Sequence, residues 1–227
     1  MNEEYTKNGF LIVPNILTEQ QVEEFRGMLD NFLNDVNTFS EKGSDRCIPG
    51  FAGSTPELDE LNMLHLSDRV NNVLKKEIFD NNEYIYANHS DLHQNKITGW
   101  HRDTYDYLLK NRGGGTNAGL WSEECHIIKV CFLLQDHADN DYGLRFKSGT
   151  HKSEIDGAPT VARTKATDMI IFDQRILHAG QTQTPRYHQK FNKNRYLLTY
   201  AYGLNNEHTR IHAKGATLRQ QRQLKTI

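Results

Sequence analysis

The chain is poor in cysteine, proline and tryptophan, with three, five and two of them among 227 residues. Cys47, Cys125 and Cys131 are odd in number and irregular in spacing, which argues against a disulfide framework and fits a reducing cytoplasm. No apolar run approaches the roughly 20 residues that span a bilayer. The N-terminal residues, Met1-Asn-Glu-Glu-Tyr5, lack the basic-then-apolar order of a secretory signal. Charge of one sign is missing too: 27 Lys and Arg stand against 29 Asp and Glu, so bulk positive charge for nucleic acid is absent. The expectation is a soluble cytoplasmic protein that engages neither membrane nor nucleic acid.

What the chain does have is ten Tyr, ten Phe and eleven His. That many aromatics in a chain of this length suit one folded domain. Residues 8–15 read as a short strand closed by Pro14. A helix follows, with Thr18 and Gln21 in capping-box positions and Val22, Phe25, Leu29, Phe32 and Val36 at helical spacing. Residues 37–55 read as loop, and Ser67 as the cap of a second helix. From residue 83 short strand-like runs follow: 83–88, 96–103, 126–135, 143–147, 168–172, 176–180 and 195–202, separated by turn signals. Helices followed by serial short strands predict one mainly β domain, a barrel or sandwich with helices outside. Residues 106–124, with Gly113-Gly-Gly115, suit a mobile lid or an inert insertion. Residues 204–227 carry no acidic residue after Glu207 and read as a solvated basic tail.

The chemistry concentrates in two segments. In Trp100-His101-Arg102-Asp103, strand geometry projects His101 and Asp103 to one face. The run Asp168-Met-Ile-Ile-Phe-Asp-Gln-Arg-Ile-Leu-His178 reads as a buried strand, a tight turn at Asp173-Gln-Arg175 and a return strand delivering His178. His178 alone reads most simply as a packed core histidine. Together the three form a two-histidine, one-carboxylate set that occupies one face of an octahedral ion and leaves three positions open. Catalytic zinc also takes three protein ligands, so the set alone does not choose the metal. On the strand at 195–202, Arg195 shares a face with Leu197 and Thr199, where a guanidinium can clamp a carboxylate of a 2-oxo acid.

The ordered set resembles the phytanoyl-CoA dioxygenase family of Fe(II)- and 2-oxoglutarate-dependent oxygenases. The resemblance rests on Asn8-Gly-Phe-Leu-Ile-Val-Pro-Asn15, Trp100–Asp103, Leu134–Leu144, Ser148-Gly-Thr-His-Lys152, Asp168–Asp173, His178-Ala-Gly180 and Arg195. It implies a double-stranded β-helix, a cupin-like jelly roll, over about residues 8–203. It assigns His101, Asp103 and His178 to iron and catalysis, and Arg195 to the co-substrate 2-oxoglutarate. With O₂, the implied reaction is hydroxylation with release of succinate and CO₂. A carboxylate at Asp103 points away from the related halogenases, which have Gly or Ala there.

Three positions depart from the family's pattern. Arg195 lies seventeen residues after His178, farther than is usual, with the extra residues expected in a longer hairpin loop and Arg186 as the competing anchor. Gly180 stands where relatives place a serine hydroxyl, and Thr182 is the substitute. The usual Pro-Gly-Ser-His turn is Lys147-Ser-Gly-Thr-His151, with His151 a turn residue. His89, His93, His126 and His137 are read as structural or solvent-exposed. Tyr105, Tyr107, Trp121 and Arg145 are the substrate-pocket candidates, for a small polar metabolite. The alternatives are a metal-bound jelly-roll module that binds a ligand without turnover, and a Zn- or Mn-dependent lyase or isomerase.

Overall fold

A computed structural model describes residues 1–35, 45–103, 125–153, 156–181 and 183–224. The N-terminal half is mostly helical: α1 (Glu3–Asn8), the first strand β1 (Phe10–Val13), α2 (Glu19–Asp35), β2 (Arg46–Pro49), a kinked helical turn α3 (Phe51–Ser54), α4 (Asp59–Leu64) and α5 (Asp68–Val73). The strands β3 (Tyr84–Gln94), β4 (Ile127–Leu133), β5 (Arg145–Lys147), β6 (Pro159–Val161), β7 (Met169–Asp173), β8 (His178–Ala179) and β9 (Tyr196–Leu204) follow. A short α6 (Tyr187–Phe191) precedes β9, and α7 (Glu207–Leu224) follows it.

The strands form two antiparallel sheets, a large one ordered β1-β7-β4-β9-β3-β2 and a small one ordered β6-β5-β8. This is the mainly β jelly roll with flanking helices expected from the sequence. The central strand β4 is buried along its whole length, because both faces of the large sheet are covered. Ile128, Val130 and Phe132 face the helices, where they join Phe25, Leu29 and Leu33 of α2. Cys131 and Leu133 face inward and pack with Phe146 of the small sheet. Lys129 shares their inward parity, and that places a charge inside the roll.

Both sequence-read helix starts are present. Thr18 and Gln21 exchange the two capping-box bonds, at 3.0 and 3.1 Å, and the Ser67 hydroxyl accepts from the Val70 amide. Four expectations are corrected. Residues 37–55 are not loop throughout, since Arg46–Pro49 is an edge strand on β3; its polar residues and terminal Pro49 hide it from a hydrophobic pattern. Residues 96–103 are not a regular strand and pair with the sheet at isolated bridges, Ile97 with Gln181 and His101 with His178. The residues around His188–Lys193 form α6 in place of an open hairpin.

The fourth correction is the basic tail. Residues 207–224 form α7, which packs on β3 and is capped by Asn206, whose side chain accepts from the Thr209 amide. Its buried residues are Thr209, His212, Gly215 and Ala216, so it has no apolar stripe for a sequence pattern to detect. Among the described residues, no helix is long and apolar enough to cross a membrane.

Candidate metal centre

The centre is built on the turn after β7. The Asp173 carboxylate accepts from the Arg175 amide at 2.9 Å and from its guanidinium at 2.8 and 2.6 Å. The Ile176 amide closes the turn on the Asp173 carbonyl. Two carbonyls of this turn then hold the facing segment: Gln174 O accepts from the Asp103 amide at 3.1 Å, and Arg175 O from Arg102 Nε at 2.7 Å. Beyond it, His101 and His178 bond each other's backbone in both directions. Three contacts thus do the work expected of a regular strand.

The side chains converge. His101, Asp103 and His178 offer ligand atoms that all lie within 4.8 Å of one another. His101 Nε2 is 3.5 Å from Asp103 Oδ1, and His178 Nε2 is 3.5 Å from Asp103 Oδ2. Each imidazole has Nδ1 on a backbone carbonyl, Gly99 O at 2.8 Å and Ile176 O at 3.0 Å. A carbonyl only accepts, so each Nδ1 carries a proton, and in the neutral ring the Nε2 lone pair faces the centre.

Electrostatics suits the same task. Burial drives the His178 pKa down to about 4, which keeps it neutral and able to coordinate at pH 7. Burial opposes ionisation of Asp103, but the Lys129 ammonium and the two imidazoles outweigh it, and the carboxyl is held well below its usual range. His101, more open to solvent, is raised by its bond to Asp103. The nearby Cys131 thiol is pushed up to about 12 by burial, so it is protonated and a poor ligand.

A cavity of about 180 Å³ joins the three side chains to Arg195, Thr98 and Lys129. Arg195 is 1% exposed. Its Nε donates to Tyr142 O at 3.1 Å, while Nη2 has no hydrogen-bond partner. Burial lowers its pKa to about 10, the mark of a guanidinium with no carboxylate against it. Leu197 and Thr199 line the same wall, as the strand pattern predicted. Arg186 instead pairs with Asp45 at 2.6 Å and does not line this cavity.

The remaining sequence candidates divide. Arg145 is outside the cavity lining, its guanidinium 5.1 Å from the Trp100 ring centre. Tyr105, Tyr107, Trp121 and Thr182, with the 106–124 segment, lie outside the described residues. His151 is a turn residue whose Nε2 meets Thr6 O. His89, His126 and His137 are buried and His93 nearly so, which corrects the solvent-exposed option.

Sequence reasoning gave no role to Thr98, Asp91, Lys129 or Arg219, all of which line the cavity. Lys129 left a signal, as a lone charge in the apolar run from Ile127 to Leu134. Arg219 left none, because it reaches Asp91 from α7. Thr98 Oγ1 accepts from the Gly180 amide at 2.8 Å and lies 2.7 Å from where a Gly180 Cβ would stand. A threonine hydroxyl from the facing segment therefore fills the space a residue-180 side chain would take.

No protein-family model and no curated protein matches the sequence. Solved structures do share its fold. HygX from Streptomyces hygroscopicus, with nickel and 2-oxoglutarate bound, aligns over 88% of this chain and 84% of its own at 16% identity, with a TM-score of 0.66. Another HygX structure also holds hygromycin B. The non-heme alpha-ketoglutarate-dependent epimerase SnoN of nogalamycin biosynthesis aligns over 88% and 79% at 14% identity, TM-score 0.65. The carbocyclase SnoK of the same biosynthesis aligns over 88% and 81% at 16% identity, TM-score 0.61.

Proposed function

We propose that this protein is a non-haem iron(II) enzyme that uses 2-oxoglutarate and O₂ to hydroxylate a small polar molecule, releasing succinate and CO₂. The observation that carries the reading is that one cavity holds both the His101–Asp103–His178 set and the unpartnered Nη2 of Arg195. A metal ion accounts for the first, and an anionic ligand accounts for the second. HygX, which shares the fold, binds nickel and 2-oxoglutarate in its crystals, which supports the same pairing here.

In this reading His101 and His178 hold iron through Nε2 and Asp103 through a carboxylate oxygen. Bound iron would activate O₂, which is the oxidant, and 2-oxoglutarate would give up two electrons to it as it loses CO₂. The protein's own residues do the positioning. Arg195 takes the distal carboxylate of 2-oxoglutarate as a fork, in a site whose burial strengthens the pair. Phe172 and Leu144 give the cavity an apolar patch beside the metal-binding side chains. Thr98 offers a hydroxyl where the family's serine would be.

Hydroxylation is the outcome we infer, because Asp103 keeps the carboxylate that halogenases lack. SnoN and SnoK carry out an epimerisation and a carbocyclisation on this fold, so the outcome rests on the substrate's placement. A small-molecule substrate accords with the HygX structure that holds hygromycin B.

Anaerobic addition of Fe(II) and 2-oxoglutarate should give a visible metal-to-ligand charge-transfer band. Admitting O₂ should then release succinate, and His101→Ala and Asp103→Ala should lose both signals. A protein that binds zinc in preference to iron and gives neither signal would overturn the reading in favour of the lyase alternative.

A further inference from the structure

We propose that Lys129 is a positioning residue of the metal centre, its ammonium holding Oδ2 of Asp103 so that the carboxylate presents only Oδ1 to the ion. The inference rests on the proposed iron site and goes one step further, to how many positions that site leaves open.

Asp103 faces its two histidines evenly, each carboxylate oxygen 3.5 Å from one Nε2. On that geometry alone both oxygens could bind one ion. The symmetry is broken by Lys129, whose Nζ lies 2.8 Å from Oδ2. The count matters because an octahedral ion has six positions. Two imidazoles and one carboxylate oxygen leave three, enough for a chelating 2-oxo acid and O₂. A second carboxylate oxygen would leave two, and the co-substrate and O₂ would then compete.

Lys129 is placed for this role by the sheet. It sits on β4, paired across the strands with Phe172 and Ala201, and is only 6% exposed. An ammonium buried at such a site is costly unless it is paired. Asp91 is bonded to His89 and Arg219, so Asp103 is the carboxylate in direct contact with Lys129. Neighbouring cations also disfavour a divalent ion. A lysine here is therefore tolerated for what it does to Asp103, since it does not help attract the metal.

The test uses Co(II), a spectroscopic stand-in for iron, on the full chain. Magnetic circular dichroism and a crystal structure of the Co(II)-loaded wild type should show a six-coordinate ion with Asp103 bound through one oxygen and Lys129 still on the other. Lys129→Arg keeps the cation of the ion pair with Oδ2 and should retain that signature. Lys129→Met removes the cation and should let Asp103 bind through both oxygens, weakening 2-oxoglutarate binding to the Co(II) protein by tenfold or more. If wild type already binds through both oxygens, or a folded Lys129→Met keeps the wild-type spectrum and 2-oxoglutarate affinity, the proposal is overturned. The wild-type arm decides even if the Met variant does not fold. If wild type binds no Co(II), or His101→Ala binds it equally well, the iron-site reading fails instead.

Discussion

The backbone of His101 donates to His178 O at 2.9 Å and accepts from His178 N at 3.0 Å. Two residues 77 positions apart are thereby locked as neighbours on one ladder, and their imidazole centres stand 4.3 Å apart. The ladder is made by backbone groups, and it holds the two rings side by side. His101→Ala and His178→Ala should each lower Fe(II) affinity by at least a hundredfold while leaving far-ultraviolet circular dichroism unchanged. Loss of folded signal in metal-free His101→Ala would show that the ring carries structure as well.

Arg195 should be the determinant of 2-oxoglutarate binding. Its loss leaves a carboxylate facing a buried, apolar wall, at a cost of about 3–5 kcal/mol. Calorimetric titration of the metal-loaded protein should show Arg195→Ala weakened by two to four decades, and Arg195→Lys by less. Arg186→Ala, which removes a half-exposed pair with Asp45, should be nearly silent. The opposite ranking would reassign the anchor to Arg186.

The Asp173–Arg175 pair should control both stability and metal binding, since the turn it shapes supplies the carbonyls that hold Arg102 and Asp103. Arg175→Met leaves Asp173 charged and buried, so destabilisation of about 3–5 kcal/mol is expected in urea unfolding. Fe(II) affinity should fall with it, although neither residue touches the ion. An Arg175→Met variant with wild-type metal affinity would show that the turn does not position Asp103.

Acidification should destabilise the metal-free protein below the ordinary imidazole range. His178 and His65 are held near 4, and His93 and His137 near 3, each by burial from an ordinary 6.5. Between those values the unfolded chain binds protons that the folded chain refuses, so stability is full above about pH 6.5 and falls as pH drops towards 4. For His178 alone the loss reaches about 3 kcal/mol, at 1.36 kcal/mol per pKa unit. The urea midpoint should fall steadily from pH 7 to pH 4.5, and added Fe(II) should oppose the fall. A flat profile would mean that these histidines take up protons alike in the folded and unfolded chains.

Gly180 and Thr98 should be coupled. A side chain at 180 would meet Thr98 Oγ1 at 2.7 Å, so Gly180→Ser should cost about 1–3 kcal/mol by overpacking. Thr98→Ala opens that space, and the double variant should recover most of the loss in a double-mutant cycle. Additive effects would separate the two positions.

Local signals in the chain determined what local physics controls. The capping box at Thr18 and Gln21 is two neighbouring side chains satisfying each other's amides, so it is legible from three residues of spacing. The inward parity of Arg195, Leu197 and Thr199 follows from strand alternation alone, and the buried character of β7 from its unbroken apolar run Met169–Phe172. The His101–Asp103–His178 set was legible only as a combination, since His-x-Asp is common in a chain with eleven histidines and His178 alone reads as core. Its geometry was decided elsewhere. Residues 96–103 reach the right face through hydrogen bonds to a turn more than 70 positions away, and no periodicity within 96–103 encodes those partners. Arg219 is the clearest case. Its helix has no apolar stripe and reads as a polar tail, yet packing on β3 places its guanidinium on Asp91 inside the cavity. Lys129 lies between the two extremes, visible as a charge in an apolar strand but without meaning until the fold puts Asp103 against it. A buried charge is explained only by its counter-charge, and which counter-charge it meets is a property of tertiary structure.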